Sequence, residues 1–198
     1  LGRGLRRAAG TPLARWLRAW DQRTSGPERV GRFVAISETV ARRIRTHYRR
    51  SSRVIHPPVD VDRFRVRPDA VEDWYLLVGG FVPYKREEVA LEAFRHLDAR
   101  LLVAGDGPGR AALQARAPSN VRFLGRVSDG ELADLYARCR ALIYPQEEDV
   151  GIVPVEAQAA GRPVIAFGSG GATETVLPLG RSRDRAPTGL WFTPQTPA

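Results

Sequence analysis

The sequence predicts an α/β fold in which a Rossmann-like parallel sheet is flanked by helices. After about residue 70, short apolar runs alternate with amphipathic runs, which is typical of βαβ units. Glycines follow several of the apolar runs, at the places where the loops of a parallel sheet bind ligands. The predicted strands span residues 74–80, 100–105, 121–125, 141–145 and 162–167. The predicted helices between them span residues 86–97, 108–117, 129–138 and 153–160.

The segment before this alternation begins with an amphipathic run. Residues 11–24 predict a helix with Thr11 as N-cap and Pro12 at the first helical position. Its apolar stripe consists of Leu13, Leu17 and Trp20, with Trp16 beside them. Such a helix packs on its own protein or lies on an anionic membrane.

Two short strands follow this helix. Residues 32–37 predict the first strand, and Ser37 then caps a helix. Arg53 opens a second strand that runs into Pro57 and Pro58. Neither a helix nor a central strand tolerates that pair of prolines, so we expect a linker there.

The charge of the chain changes near the same place. Residues 1–68 hold 17 arginines and 5 acidic residues, whereas residues 69–198 hold 14 basic and 17 acidic residues. We therefore predict a domain boundary near residue 66, with residues 1–65 forming the tail of one domain plus a linker and residues 66–198 forming a second domain. An arginine-rich first third is either a solvated surface or a contact for nucleic acid, an anionic membrane or an acidic neighbour.

Composition favours a globular protein of a reducing compartment. Hydrophobic residues make up 43% and charged residues 27% of the chain. No apolar run approaches the ~18 residues of a membrane span, and no signal peptide is evident. Cys139 is the single cysteine, so we expect no internal disulfide and a cytoplasmic location. The chain contains no methionine and ends just after an apolar strand-like run, so we expect a sequence truncated at both ends.

Lys85 is the first candidate for binding an anion. It is the only lysine of the chain and follows a predicted strand where a helix is expected to begin. A lysine approaches a phosphate as a compact charge, and the helix N-terminus adds backbone N–H donors for the same anion. The position and the residue type together predict a phosphate contact.

The second candidate is the run from Gln146 to Gly161, QEEDVGIVPVEAQAAG. Its glycine, Gly151, permits close backbone approach, and a proline three residues later predicts a helix that begins near Val153. Glu148 and Glu156 then flank a helix start, where their carboxylates could accept hydroxyl groups of a sugar. We expect the other two acids of this run, Glu147 and Asp149, to be solvated.

Two other interpretations remain open from the residues alone. Glu148 and Glu156 could be the acid and base of a glycoside hydrolase, although that leaves Lys85 and the glycine unexplained. The arginine-rich segment could instead belong to a non-catalytic module that binds nucleic acid or a membrane. Its arginines are not interleaved with stacking aromatic residues, so nucleic acid is not expected. The three histidines lack metal-ligand spacing.

Four ordered motifs resemble the retaining glycosyltransferase family 4 enzymes of GT-B fold. They are GGFVPYKREEVALEAF, LLVAGDGP, VRFLGRVSDGELADLYARCRALIYP and EDVGIVPVEAQAAGRPVIAF. The most similar members are bacterial enzymes that transfer mannose or related hexoses to polysaccharide or lipid-linked acceptors. The resemblance implies that residues 66–198 form the nucleotide-sugar-binding domain and residues 1–65 the tail of the acceptor domain. This chain alone would then be inactive in transfer.

The resemblance also implies a role for each site residue. Lys85 and Glu148 would be the catalytic residues, with Lys85 at the diphosphate and Glu148 at the transferred sugar, while Glu156 would hold the ribose. The remaining donor-binding positions would be Gly80, the backbone of Gly151, Ile152 and Val153 near the sugar and distal phosphate, and the backbone of Arg126 and Val127 near the base. The donor would be a GDP- or UDP-hexose, with no metal or other cofactor. The acceptor would be a saccharide or lipid-linked molecule, with peripheral contact at the inner face of an anionic membrane.

Gly80 departs from the family pattern. Many members carry an arginine five residues before the lysine, as a second clamp on the diphosphate. Gly80 occupies that position here. The loss of one such donor could cost roughly 2–4 kcal/mol of transition-state stabilisation.

Overall fold

The computed structural model describes residues 2–180 and 185–196, with side chains of the first helix described from Pro12 onward. The chain divides into two compact units, Leu1–His56 and Pro57–Ala198. The break precedes the boundary predicted near residue 66, because Val59 and Phe64 pack in the core of the second unit. The assignment of the first 65 residues to an acceptor domain stays a prediction.

The first unit contains two helices and a pair of parallel strands. Its helices are α1 (Gly2–Thr24) and α2 (Glu38–Tyr48), and its strands are β1 (Phe33–Ala35) and β2 (Ser52–Val54). Ser37 caps α2 as predicted, with its hydroxyl accepting from the Val40 N–H at 3.0 Å. Ala35, Ala41 and Ile44 form a small buried cluster in this unit.

The first helix is longer than predicted. It begins at Gly2, so Pro12 lies inside it, and the predicted N-cap at Thr11 and first position at Pro12 are wrong. Alanine, leucine and arginine among the preceding residues favour helix, and the helix continues through Pro12 although a proline removes one helical hydrogen bond and its ring crowds the preceding turn. The four apolar residues of the predicted stripe remain 46–59% exposed.

The second unit is a parallel sheet of six strands, in the order β5-β4-β3-β6-β7-β8. The strands are β3 (Trp74–Gly79), β4 (Arg100–Gly105), β5 (Val121–Gly125), β6 (Leu142–Tyr144), β7 (Val164–Phe167) and β8 (Gly189–Phe192). The connecting helices are α3 (Glu87–Arg95), α4 (Arg110–Arg116), α5 (Asp129–Arg138), α6 (Ile152–Ala159) and α7 (Ala172–Thr175). The predicted α/β fold with a parallel sheet flanked by helices is confirmed; the short helix α7 was not predicted.

Apolar layers cover both faces of this sheet. Leu76 and Leu77 are neighbours on β3, yet they enter different buried clusters. Successive side chains of a strand point to opposite faces, so each residue serves one layer. One layer contains Leu77 with residues of α3, and the other contains Leu76 with residues of α5 and α6. Cys139 is buried in the second layer.

The chain order of the strands reverses between β3 and β6. From β3 the chain proceeds outward to β4 and β5, and then returns to the other side of β3 to form β6. In open parallel sheets, the carboxyl ends of the two strands at such a reversal border a crevice. The loops after β3 and β6 are therefore the expected place of a site. No helix among residues 2–180 and 185–196 is both long and apolar enough to cross a membrane.

Candidate functional site

Lys85 and Glu148 meet at this reversal. Lys85 follows β3 and Glu148 follows β6, and the Lys85 Nζ lies 2.9 Å from the Glu148 Oε1. Their side chains are 19% and 23% exposed, so the pair lies at the surface of the crevice with limited contact with water. The structure thus brings together two predicted site residues that are 63 positions apart in the sequence.

A tyrosine holds the other oxygen of Glu148. Tyr144, at the end of β6, is fully buried and donates its hydroxyl to the Glu148 Oε2 at 2.7 Å. Burial and the adjacent carboxylate raise the pKa of Tyr144 well above its usual value, so the phenol keeps its proton. Glu148 is therefore fixed from two sides, by an ammonium and by a phenol.

The helix beside Glu148 begins as an anion site requires. Gly151 has φ +77°, and a Cβ there would lie 2.3 Å from the Tyr144 hydroxyl, so only glycine fits. Helix α6 begins at Ile152, one residue before the predicted start at Val153. Its N-cap residue, Gly151, makes no side-chain cap bond, and the N–H groups at the start of a helix can receive an anionic ligand.

Glu156 has a buried tyrosine partner of its own. Tyr136 lies on α5, is fully buried, and donates its hydroxyl to the Glu156 Oε2 at 2.9 Å. Burial, followed by the charge of Glu156, raises the pKa of Tyr136 far above its usual value. Each acid of the predicted pair is thus hydrogen-bonded to one buried phenol.

A buried carboxylate shapes the segment that carries Lys85. Glu87, the first residue of α3, is 2% exposed and accepts from the Phe81 N–H at 3.0 Å. Burial raises the pKa of Glu87, although the hydrogen bonds and the nearby Lys85 oppose this shift. Phe81 and Arg86 both have positive φ, at 45° and 55°, which is uncommon for residues other than glycine. Glu87 therefore ties the start of this strained segment to the helix after it.

Gly79 and Gly80 stand at the head of the same segment. A Cβ on Gly79 would lie 2.9 Å from the Glu87 Oε1, whereas a Cβ on Gly80 would have the Asp106 carbonyl oxygen at 4.0 Å as its nearest neighbour. Position 80, where the resemblance leads us to expect an arginine, therefore has room for a Cβ.

The predicted base-binding positions lie at the carboxyl end of β5. Arg126 is exposed and Val127 is half-buried, and Val127 packs against the second unit's core. The structure leaves their backbone contacts with a base untested. Glu147 and Asp149 are exposed, in agreement with the prediction that they face solvent. No group of three or more metal-ligating residues occurs in the described part of the chain.

Sequence reasoning missed Tyr136, Tyr144 and Glu87. The two tyrosines lie in apolar runs, where an aromatic residue is normally part of the core. Glu87 occupies the first turn of a helix, where an acid is normally solvated. One signal was available for Tyr144, because it precedes Glu148 by four residues at a strand end.

Comparisons with known proteins identify the family of this chain. Residues 59–198 match the family described as glycosyl transferases group 1. The chain is 30% identical to the D-rhamnosyltransferase WbpZ of Pseudomonas aeruginosa over 167 residues, which cover 76% of the chain and 42% of that protein. It is 37% identical over 149 residues to a GDP-mannose-dependent alpha-(1-6)-phosphatidylinositol monomannoside mannosyltransferase of Mycobacterium tuberculosis, covering 61% of the chain and 39% of the relative. The chain thus spans less than half the length of these relatives.

Solved structures share the fold. A sucrose-phosphate synthase from Thermosynechococcus elongatus superposes with a TM-score of 0.70 at 24% identity, covering 83% of this chain and 45% of that one. Anabaena HepE in complex with UDP-glucose gives a TM-score of 0.67 at 20% identity, covering 83% of this chain and 50% of that one. The fold therefore matches that of GT-B glycosyltransferases. With the family match over residues 59–198, this chain belongs to the glycosyl transferases group 1 family.

Proposed function

We propose that this chain binds a nucleotide-diphosphate sugar and serves the transfer of a hexose, with mannose favoured, to a saccharide or lipid-linked acceptor. The observation that carries the proposal is the Lys85–Glu148 pair, 2.9 Å apart beside the uncapped start of α6. A diphosphate and a sugar hydroxyl are the two chemistries that such a pair and such a helix start can receive together.

Each site residue then has a task. Lys85 neutralises the charge that develops on the departing diphosphate, and the N–H groups at the start of α6 receive its oxygens. Glu148 accepts hydroxyls of the hexose and Glu156 those of the ribose, while the backbone near Arg126 and Val127 meets the base. In this proposal the protein supplies the positive charge without a metal, so EDTA leaves donor affinity unchanged.

The proposal also covers the stereochemistry of transfer, the enzyme family and the donor. The spacing of Glu148 and Glu156 and the motif around Lys85 support a family 4 enzyme that retains the configuration at the anomeric carbon. GDP-mannose dependence in the name of the Mycobacterium relative, and UDP-glucose in the HepE complex, support a GDP- or UDP-linked donor. An acceptor domain, whose tail we assign to residues 1–65, would complete the enzyme. Proton NMR of the transferred anomeric centre would test retention in the complete protein.

Membrane contact is the last part of the proposal. The exposed apolar stripe of α1 lies on an arginine-rich helix, and such helices bind anionic lipid surfaces. We therefore place the protein in the cytoplasm, in peripheral contact with the inner face of the membrane.

Calorimetric titration tests donor binding. We expect the wild-type chain to bind UDP-glucose or GDP-mannose, and Lys85→Ala and Glu156→Ala to weaken binding by about 10-fold or more, since each removes hydrogen bonds to or from a charged group. Arg95→Ala is the matched control for Lys85, because Arg95 is a basic residue paired with Glu92 on α3. A folded chain with no affinity for either nucleotide sugar, or equal losses in the control, would contradict the proposal.

Glycoside hydrolysis and nucleic-acid binding find no support in the family match. Release of free sugar from an aryl glycoside, at a rate that falls in Glu148→Gln, would restore the first alternative. A steeply salt-dependent affinity for DNA would restore the second.

A further inference from the structure

We propose that the hydroxyls of Tyr136 and Tyr144 are positioning groups, which aim Glu156 and Glu148 at different parts of the same nucleotide sugar. The inference rests on the proposed function of the site. It assigns the Tyr136–Glu156 pair to the nucleotide half of the ligand and the Tyr144–Glu148 pair to the sugar half.

The tyrosines and the acids differ in their exposure to solvent. Both tyrosine side chains are fully buried, and each sends only its hydroxyl to a carboxylate. Glu148 keeps 23% of its side-chain surface exposed, and Glu156 is likewise half-buried. Each pair thus connects the rigid core to a carboxylate that keeps part of its surface exposed.

Packing holds the rings of both tyrosines in place. Tyr136 belongs to α5 and packs edge-on against Phe64, with the ring centroids 5.7 Å apart at an angle of 75°. Tyr144 belongs to β6, and its hydroxyl fills the space that a side chain at position 151 would need. A phenol has few rotatable bonds, so a packed ring fixes the place of its hydroxyl. The core therefore determines where each carboxylate lies.

Both acids keep acceptor sites for a ligand beside the tyrosine hydroxyl. An ionised carboxylate has about four lone-pair sites. On Glu148, Lys85 takes one and Tyr144 another, so both oxygens keep one further site for a sugar hydroxyl. On Glu156, Tyr136 occupies one site, which leaves enough for the two neighbouring hydroxyls of a ribose. The phenols thus fix the positions of the two carboxylates without occupying all of their acceptor sites.

The two tyrosines hold different acids, although both belong to the same buried cluster. Tyr136 and Tyr144 lie on different elements, and each donates to a different acid. Their loss should therefore affect different portions of the ligand. A purely structural role predicts the same modest loss of stability for both, with no preference between ligands.

The experiment deletes one oxygen atom at a time in the 198-residue chain. The dissociation constants of Tyr136→Phe and Tyr144→Phe are measured by calorimetry for a nucleoside diphosphate and its nucleotide sugar. The ligands are GDP with GDP-mannose or UDP with UDP-glucose, whichever pair the wild type binds more tightly. Tyr48→Phe is the control, because Tyr48 donates to Asp21 at 2.7 Å in the first unit.

Different patterns are expected for the two variants. Tyr136→Phe should weaken the diphosphate and the nucleotide sugar alike, by about tenfold, the lower end of the loss seen when the partner that orients a binding group is removed. Tyr144→Phe should weaken the nucleotide sugar by about tenfold and the diphosphate by less than about twofold. Adding Tyr136→Phe to Glu156→Ala should cause no further loss, since the hydroxyl acts through that acid.

The outcomes distinguish the inference from the proposed function beneath it. A folded wild type that binds none of the four ligands overturns the proposed function, and the inference with it. A wild type that binds, with Tyr→Phe variants that keep its affinities, overturns the inference alone. So does an equal loss for both ligands in both variants, or an additive loss in the Glu156→Ala background. Binding is measured at a temperature where circular dichroism shows every variant to be folded.

Discussion

Gly79 and Gly80 are adjacent in the chain but differ in their tolerance of a side chain. A Cβ on Gly80 would meet no atom closer than 4.0 Å, and one on Gly79 would meet a carboxylate oxygen of Glu87 at 2.9 Å. Position 80 therefore has room for a Cβ, whereas position 79 does not.

Gly80→Arg should strengthen the binding of a nucleoside diphosphate. The new guanidinium would join Lys85 as a second cation in the crevice, and a hydrogen bond to a charged group contributes about 1.5–3 kcal/mol. We expect the dissociation constant of UDP or GDP to fall by roughly tenfold or more, as measured by calorimetry. Unchanged affinity in a folded Gly80→Arg chain would show that the side chain points away from the phosphates.

Gly79→Ala is the matched comparison. The added methyl forces Glu87 to move or the strand end to shift, and overpacking of this kind costs about 1–3 kcal/mol. The free energy of unfolding in urea should fall by that amount. A loss of stability in Gly80→Ala as large as in Gly79→Ala would contradict the distinction.

At the scale of elements, the segment between β3 and α3 depends on the buried carboxyl of Glu87. Burial raises its pKa, so the folded state holds the proton more tightly than the unfolded state. The stability contributed by that proton is present below the ordinary glutamate pKa and is lost as the pH rises through the raised folded value. The groups whose charge acts on Glu87 are Lys85, which lowers the pKa, and Glu88, which raises it.

Glu87→Gln should remove this part of the pH dependence. The amide oxygen can still accept from the Phe81 N–H, and no proton is exchanged. We expect the stability of the wild type to fall relative to the variant as the pH rises from the ordinary glutamate pKa through the raised folded value and the carboxyl ionises. Urea unfolding curves across that range would show it. Glu92→Gln is a control of opposite sign, because the hydrogen bond from Arg95 lowers the pKa of Glu92. Parallel pH profiles of the free energy of unfolding for the wild type and Glu87→Gln would contradict this prediction.

The same elements show which features of the fold and of the site can be predicted from the sequence. Alternating apolar runs determine the strands and helices, because burial on both faces of a parallel sheet leaves a local signature. Lys85, Glu148 and Glu156 stood out by residue type and by position at strand ends or helix starts. The pairing of Tyr136 with Glu156 did not, because it joins two helices through the tertiary packing of α5. The buried state of Glu87 likewise depends on Phe81, six residues earlier, turning back through a positive φ.

For the whole molecule, charge and exposed apolar surface coincide in the first unit. Within that unit, Asp21 and Gln22 at the end of α1 bond to Tyr48 and the His47 carbonyl of α2, which anchors the helix. The apolar stripe that begins at Leu13 stays exposed. The arginines of this unit supply the charge that would draw such a helix to acidic lipid.

Trp16→Ala combined with Trp20→Ala should therefore weaken binding to vesicles of phosphatidylglycerol and phosphatidylcholine. Burying one large apolar side chain contributes about 1.5–3 kcal/mol, so the loss of two should exceed tenfold in partitioning. Co-flotation measures it, and Leu179→Ala is the control, since Leu179 is a 66% exposed apolar residue of the second unit. Wild-type binding that is equal on neutral vesicles, or retained in the double variant, would contradict membrane contact.

The ion pair of Lys85 with Glu148 has a consequence for turnover. Without a ligand the two groups lie 2.9 Å apart, so the ammonium already has a partner inside the protein. In the proposed function, departure of the hexose would free Glu148 to recapture that ammonium from the nucleoside diphosphate. The carboxylate then competes with the product for the same charge, and we expect it to hasten product departure and limit inhibition by the product.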